Sequence, residues 1–246
     1  MEQEPTATTS DGLAEEPRPV ARRGKFITFE GGEGTGKSTQ AAILAQRLES
    51  LGITVVRTRE PGGSPGAEII RHVLLSGAAK PLGAEAEAML FAAAREDHVK
   101  HAIEPALTAG KWVVCDRFAD STRVYQGALG HVDERLIKSL ERVSIGDLLP
   151  DLTLILDLPV EEGLQRRAQR RGDAAPDRFE AEDVEFHEKL SQAYLGLAAQ
   201  EPQRCIVIDA GGAKEDVAEQ IWSAVDSRLD PAMTPVPVED VVPQSA

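Results

Sequence analysis

Short apolar segments alternate with longer segments rich in helix-forming residues along the middle of the chain. Five apolar segments have the length and near-continuous hydrophobicity of strands buried on both faces: 25–30, 53–58, 111–116, 152–158 and 204–209. Helices are predicted at 37–51, 67–75, 84–109, 133–143, 160–170, 181–199 and 214–229. Pro105 is expected to kink or divide the third helix. The alternation predicts an α/β fold with a five-stranded parallel sheet flanked by helices on both faces.

The two ends of the chain depart from this pattern. Residues 1–23 and 230–246 are rich in small and polar residues and proline and carry few large apolar side chains, so they cannot bury enough surface to order themselves. We predict one folded domain at 24–229 between two disordered tails. The first residues lack the apolar stretch of a secretory signal, and no run of about 18 apolar residues exists, so a cytoplasmic protein without a membrane partner is expected.

Composition narrows the possible partners. The 246 residues are 41% hydrophobic and 28% charged, which is ordinary for a globular chain, and the formal net charge is −14. An acidic surface argues against binding a nucleic-acid polymer, which needs basic patches, but leaves room for a local anion site. Cys115 and Cys205 border apolar segments and are expected to be buried and reduced.

A glycine-rich loop follows the first predicted strand. In GGEGTGKST, Gly31, Gly36, Lys37 and Ser38 match the G-x-x-x-x-G-K-[ST] phosphate-binding motif. Glycines let successive backbone N–H groups point at phosphate oxygens, and the helix that follows adds its positive end. Lys37 is expected to reach the outer phosphates, and Ser38 to ligate Mg²⁺. The predicted nucleotide-binding residues are Gly31, Gly32, Glu33, Gly34, Thr35, Gly36, Lys37 and Ser38.

This loop occurs in GTPases, ATPase motors and small-molecule kinases. The chain has no guanine-reading N-K-x-D segment and is short for a motor, so a kinase is favoured. Ligands of parallel sheets bind beyond the carboxyl ends of the strands. The loops that follow Glu30, Thr58, Asp116, Leu158 and Asp209 are therefore the places to look for substrate-binding residues.

Further segments carry a family resemblance. They are TREPGGS at 58–64, LFAAARED at 90–97, DRFADSTRVYQG at 116–127, RRGDAAPDRFE at 170–180 and IDA at the end of the fifth strand. In this order and spacing they resemble bacterial thymidylate kinases, from about residue 25 to the last helix. The resemblance implies a P-loop NTPase fold with a mobile lid, phosphorylation of dTMP by ATP with Mg²⁺, and a homodimer.

Residues at the strand ends suit phosphoryl transfer. Transfer between two anionic nucleotides needs Lys, Arg and Mg²⁺ to neutralise the transferring group, which makes Lys37 and Arg117 candidate catalytic residues. Asp116, a third candidate, either acts through water on Mg²⁺, orients Arg117, or has a purely structural role. Arg59 is expected at the acceptor phosphate, and Glu60 either orients Arg59 or approaches the metal.

A second set of residues is expected to hold the acceptor base. Phe91 and Arg95 lie four residues apart and so share a helix face. The resemblance implies that Phe91 stacks on thymine and that Arg95 donates to its carbonyl edge; on pattern alone they would be a core residue and a surface charge. Thr122, Tyr125 and Gln126 complete the predicted substrate-binding residues.

Arginines crowd the segment after the fourth strand, at 166, 167, 170, 171 and 178. On pattern alone such a run is usually a solvated basic helix face. The resemblance implies a catalytic arginine in the lid, for which Arg171 and Arg178 are the candidates. Residues 174–176 lengthen the R-G-x-x-D-R spacing that the resemblance leads one to expect, so the sequence leaves open which of the two reaches the phosphates.

Two other functions compete with this interpretation. One is a kinase of another acceptor such as dUMP, dCMP or a free deoxynucleoside, against which Phe91, Arg95 and the TREPGG loop argue. The other is a module that binds nucleotide without turnover, against which the intact P-loop and Asp116–Arg117 argue. None of the five histidines lies in a pattern that suggests catalysis.

Overall fold

The structure is a computed structural model that describes residues 23–171, 179 and 182–233. Its sheet has five parallel strands in the order β2–β3–β1–β4–β5. The strands are β1 Phe26–Gly31, β2 Val55–Arg59, β3 Trp112–Asp116, β4 Leu152–Asp157 and β5 Cys205–Asp209. The predicted parallel sheet is confirmed. The predicted tails fall almost wholly outside the described residues, so the domain boundaries stay a prediction.

Nine α-helices lie within the described residues. They are α1 Lys37–Ser50, α2 Pro65–Leu75, α3 Ala84–His98, α4 Glu104–Thr108, α5 Ala119–Thr122, α6 Glu134–Ile145, α7 Val160–Arg171, α8 Val184–Gln200 and α9 Lys214–Leu229. Short 3-10 turns occupy Lys80–Leu82 and Pro231–Met233, and π-helical segments occupy Val99–Ile103 and Arg123–Leu129. In the described part of the chain, every helix is too short or too polar to cross a lipid bilayer.

Two of these features refine the predicted helices. The segment at 84–109 is divided, as expected, but by the π-helical turn Val99–Ile103, and Pro105 sits at the start of α4, where its missing N–H costs little. Helix α5 and the π-helix Arg123–Leu129 were not predicted from sequence. They are four and seven residues long, too short for a helical period to show in the sequence.

Helices cover both faces of the sheet. On one face, Leu44 of α1 and Ile221 of α9 pack in a core with Leu154 of β4. On the other face, Ile103 and Leu107 pack in a core with the strand β3 and with α5. Both cysteines are buried and free, as expected.

The carboxyl ends of three neighbouring strands, β2, β3 and β1, bring three loops together. Asp116 at the end of β3 is in register with Phe29 of β1 on one side and with Arg59 of β2 on the other. The loop after β1, the loop after β2 and the loop after β3 therefore leave the sheet side by side, which is where parallel sheets bind ligands.

Candidate active site

The loop after β1 is held tightly against α7. Gly34 has a φ of 72°, and a β-carbon there would lie 1.8 Å from the carbonyl oxygen of Gly163. Only glycine permits this approach. The loop ends at Gly36, and α1 begins at Lys37. The N-terminal end of α1 thus faces the cleft with its free backbone N–H groups, as an anion site requires.

Lys37 is buried inside this loop. Its Nζ donates hydrogen bonds to the carbonyl oxygens of Gly31, at 3.1 Å, and Gly32, at 2.5 Å. Burial, and then the positive charge of Arg117, lower the pKa of Lys37 to about 8. An anion bound in the cleft would favour the charged amine, so a bound phosphate would raise the pKa of Lys37 again.

Arg117 follows β3 with a φ of 70°, an unusual backbone conformation for arginine that turns its side chain back toward the loop after β1. Its Nη2 donates to Glu33 Oε1 at 2.6 Å, and its Nη1 lies 3.3 Å from both the Gly31 carbonyl oxygen and the Tyr194 hydroxyl. Burial opposes the ionisation of Glu33, but Arg117 and Lys37 outweigh it and lower the Glu33 pKa to about 2. A carboxylate thus holds the guanidinium at the floor of the cleft.

Ser38 and Asp116 form a second polar contact, in which the Ser38 hydroxyl donates to the Asp116 carboxylate. Two oxygen atoms from α1 and β3 therefore lie side by side at the edge of the cleft. The described residues contain no cluster of three or more His, Cys, Asp or Glu side chains that would hold a metal alone. Two oxygens are enough for Mg²⁺, which usually keeps several waters and binds substrate phosphates.

Two charged residues where β2 ends point in different directions. Arg59 is half exposed and pairs with Glu68 of α2 at 2.9 Å. Glu60 is buried and pairs with Arg95 Nε at 2.8 Å and His98 Nδ1 at 3.0 Å. The expectation that Glu60 orients Arg59 is therefore wrong, because neighbouring residues of an extended chain point to opposite sides.

Arg95 is a buried residue, contrary to what its pattern alone suggested. Its side chain is 3% exposed, and its Nη2 donates to the Phe118 carbonyl oxygen and to Thr122 Oγ1, both at 3.1 Å. Within the described residues, nothing accepts a hydrogen bond from Nη1. Because the Nε and Nη2 groups are tied to protein, the guanidinium is fixed and keeps donors for a ligand.

One cleft brings most of the predicted site residues together. The lining includes Glu33, Gly34, Gly36, Lys37, Ser38, Arg59, Glu60, Phe91, Arg95, Asp116, Arg117, Thr122, Tyr125 and Gln126. Gly32 and Thr35 line a separate small cavity, and Gly31 is buried. Arg178 is outside the described residues, and of Arg171 only the helical backbone at the end of α7 is described.

A groove on the other side of the loop after β1 continues the cleft. Gly34, Gly36 and Arg170 border both openings, and the groove extends to Arg166 and Lys214. Arg166 Nη1 donates to the Ala210 carbonyl oxygen after β5 at 3.0 Å. The phosphate-binding loop therefore lies between two openings, as a site for two nucleotides requires.

Sequence reasoning missed Glu30, which lies beneath the cleft. Its buried carboxylate accepts hydrogen bonds from Phe118 N at 2.8 Å, Ser121 Oγ at 2.7 Å and Tyr194 OH at 2.9 Å. Burial, and then the negative charge of Asp120, raise the Glu30 pKa to about 7. A glutamate near the end of a largely apolar segment, predicted to be a buried strand, was the available clue, because buried charges need partners.

Comparison with known proteins extends these observations. A family model described as Thymidylate kinase matches residues 29–221. A thymidylate kinase of Nitrobacter winogradskyi is 63% identical over 212 residues, which cover 86% of this chain and 92% of that protein. One of Bradyrhizobium diazoefficiens is 62% identical over 219 residues, covering 89% and 95%. A crystal structure of an Ehrlichia chaffeensis thymidylate kinase has a TM-score of 0.68 at 33% identity and covers 82% of this chain and 99% of that one.

Replacing Lys37 by methionine should reduce turnover by about 10²–10³-fold and leave the fold intact, because one electrostatic contact to the transition state is lost.

Since the Lys37 pKa is lowered to about 8 and bound phosphates raise it, ATP binding to the unaltered protein near pH 8 should also take up protons. Calorimetry in buffers of different ionisation enthalpy measures this uptake. Turnover within twofold of the unaltered protein, or equal proton uptake by Lys37→Met, would contradict the assignment.

Proposed function

The chain belongs to the thymidylate kinase family and phosphorylates dTMP to dTDP, a step of dTTP synthesis, and from this premise we propose how its residues perform the transfer. A phosphate oxygen of dTMP attacks the γ-phosphorus of ATP. The bond from that phosphorus to the bridging oxygen breaks, and ADP leaves with the electron pair. The observation that carries the proposal is the position of Lys37 and Arg117 in the cleft, beside the loop residues Gly34 and Gly36 that border both openings.

Lys37 and Arg117 neutralise the charge that collects during transfer. Both donate to the Gly31 carbonyl oxygen and both lie beside Glu33, so they are in place before substrate arrives. Preorganised donors of this kind favour the transition state because little rearrangement is needed when charge develops. The backbone N–H groups of 31–38 bind the donor phosphates.

Ser38 and Asp116 are the residues that would hold Mg²⁺, since their oxygens are already in contact. When bound, the ion would add positive charge at the donor phosphates. Arg171 and Arg178 stay predicted lid residues. Arg167 of α7, whose Nε lies 3.8 Å from Glu33 Oε2, adds a further arginine to the lining of the cleft.

The acceptor occupies the opening on the α3 side. Phe91 lines it and stacks on the base, while Arg95 donates to the base carbonyl edge. Thr122, Tyr125 and Gln126 line the same wall, and Arg59 lies where the acceptor phosphate enters. Cytosine carries an amino group in place of one carbonyl, and a cationic donor facing an amino donor leaves both without an acceptor.

Comparing dTMP, dUMP and dCMP as acceptors tests this pocket. The unaltered enzyme should prefer dTMP strongly over dCMP, and only modestly over dUMP, which lacks just a methyl group. Phe91→Ala should weaken use of dTMP and dUMP alike, since stacking is worth about 1–3 kcal/mol for either base. Arg95→Ala should narrow the ratio of kcat/KM between dTMP and dCMP. If dCMP serves as well as dTMP, or if Arg95→Ala leaves that ratio unchanged, the pocket is misassigned.

We also propose a homodimer, formed through the outer faces of α2, α3 and α6. These helices expose Ile69, Val73, Met89 and Val143, of which Ile69 and Val143 are 72% and 75% exposed. Helix α3 packs against both α2 and α6, so these apolar side chains lie on neighbouring helices. A second copy covering them agrees with the family resemblance. Cytoplasmic localisation stays a prediction.

Sedimentation velocity tests the dimer. The unaltered protein should sediment as a dimer at micromolar concentration, whereas Ile69→Glu with Val143→Glu should give monomers, because charges would be buried without partners. Leu51→Glu, at an exposed apolar position at the end of α1, is the control and should stay dimeric. A monomeric unaltered protein, or a dimeric double variant, would show that this face is not the interface.

A further inference from the structure

Three residues of the TREPGG segment converge on one histidine. Thr58 Oγ1 lies 2.7 Å from His98 Nε2, and Glu60 Oε1 lies 3.0 Å from His98 Nδ1. Gly63 has a φ of 89°, and a β-carbon there would lie 2.3 Å from His98 Nε2. His98 is fully buried. The turn after β2 is therefore built around this imidazole, and its glycine is required by the approach as well as by the backbone angle.

The hydrogen bonds continue from His98 to the candidate base-reading arginine. The second oxygen of Glu60 accepts from Arg95 Nε at 2.8 Å, and Arg95 Nη2 donates to Thr122 and Phe118. Glu60 and Arg95 line the cleft, but His98 lies behind them. Among the described residues that line the cleft, Glu60 is the one that His98 hydrogen-bonds, so His98 acts on the cleft through that carboxylate.

The partners fit one neutral tautomer of the ring. The Glu60 carboxylate accepts a hydrogen bond, which places a proton on Nδ1. In that tautomer Nε2 accepts the hydrogen of the Thr58 hydroxyl. Hydrogen bonds at both nitrogens fix the orientation of the imidazole. The imidazole in turn restrains Glu60, whose carboxylate can rotate only if the hydrogen bond between His98 Nδ1 and Glu60 Oε1 breaks. A planar guanidinium binds with directional donors, so its selectivity depends on this orientation.

We propose that His98 is a positioning residue for acceptor selectivity: the chain Thr58–His98–Glu60–Arg95 fixes the angle at which Arg95 meets the acceptor base. This inference rests on the proposed role of Arg95. It assigns a purpose to the segment after β2 that phosphate binding does not explain, because Thr58, Glu60 and Gly63 contact His98 directly.

Two substitutions of His98 test the hydrogen bonds of its two nitrogens one at a time. The amide of asparagine reaches roughly the Nδ1 position, and the amide of glutamine roughly the Nε2 position. His98→Gln should therefore lose the bond to Glu60 and narrow the kcat/KM ratio of dTMP to dCMP about tenfold, while His98→Asn should keep the ratio within about threefold. The KM for ATP should be unchanged in both. His101→Gln, at an exposed histidine one turn along, is the matched control.

Arg95→Ala separates a failure of the proposed base pocket from a failure of the role proposed for His98. If it narrows the ratio, His98→Gln added to it should narrow the ratio no further, since the chain acts through Arg95. If Arg95→Ala leaves the ratio unchanged, the proposed pocket fails. If Arg95→Ala narrows the ratio but His98→Gln does not, or weakens both acceptors and ATP equally, only the role of His98 is overturned.

A measurement on the unaltered enzyme removes any dependence on how the variants fold. The ¹⁵N resonance of His98 Nδ1 should show the protonated tautomer and should shift when dTMP binds. It should not shift with ATP, or with deoxyribose 5-phosphate, which lacks the base. No shift with dTMP, or the same shift with deoxyribose 5-phosphate, would overturn the proposal.

Discussion

Two cations, the buried Lys37 and the largely buried Arg117, share one oxygen atom, and the site depends on keeping them together. Lys37 and Arg117 both donate to the Gly31 carbonyl oxygen, and Arg117 contributes to the lowered pKa of Lys37. Like charges in a buried place repel each other strongly unless anions offset them. In the free protein, Glu33 and the carbonyls of Gly31 and Gly32 supply that offset; in the reaction, phosphates supply more.

A network of hydrogen bonds beneath the cleft, centred on Glu30, keeps Arg117 in position beside Lys37. Glu30, the penultimate residue of β1, ties together the loop after β3, α5 and α8 through Phe118, Ser121 and Tyr194. Tyr194 and Ser121 in turn contact Arg117. One buried carboxyl group therefore links the strand that leads into the phosphate-binding loop to the residues that orient the second cation, which explains how a glutamate is accommodated near the end of a buried strand.

Sequence reasoning succeeded where structure follows from local pattern. The apolar strands and the loop at 31–38 are contiguous segments, and their arrangement follows from the rules of parallel sheets. It failed where contacts join distant residues: Glu60 was assigned to its neighbour Arg59 or to the metal, whereas it faces Arg95 and His98, 35 and 38 positions away. The π-helix Arg123–Leu129, which carries Tyr125 and Gln126 into the cleft, was missed because it is short and has no α-helical period.

The most direct test asks whether Arg117 acts mainly on the transition state. Aluminium fluoride with ADP, Mg²⁺ and dTMP mimics the transferring phosphoryl group, so its binding can be compared with binding of ADP alone. Arg117→Ala should weaken the mimic about 10²–10³-fold and ADP by no more than about threefold. Arg135→Ala, at a highly exposed arginine, should change neither. Equal losses for ADP and the mimic, or no loss for the mimic, would contradict the account.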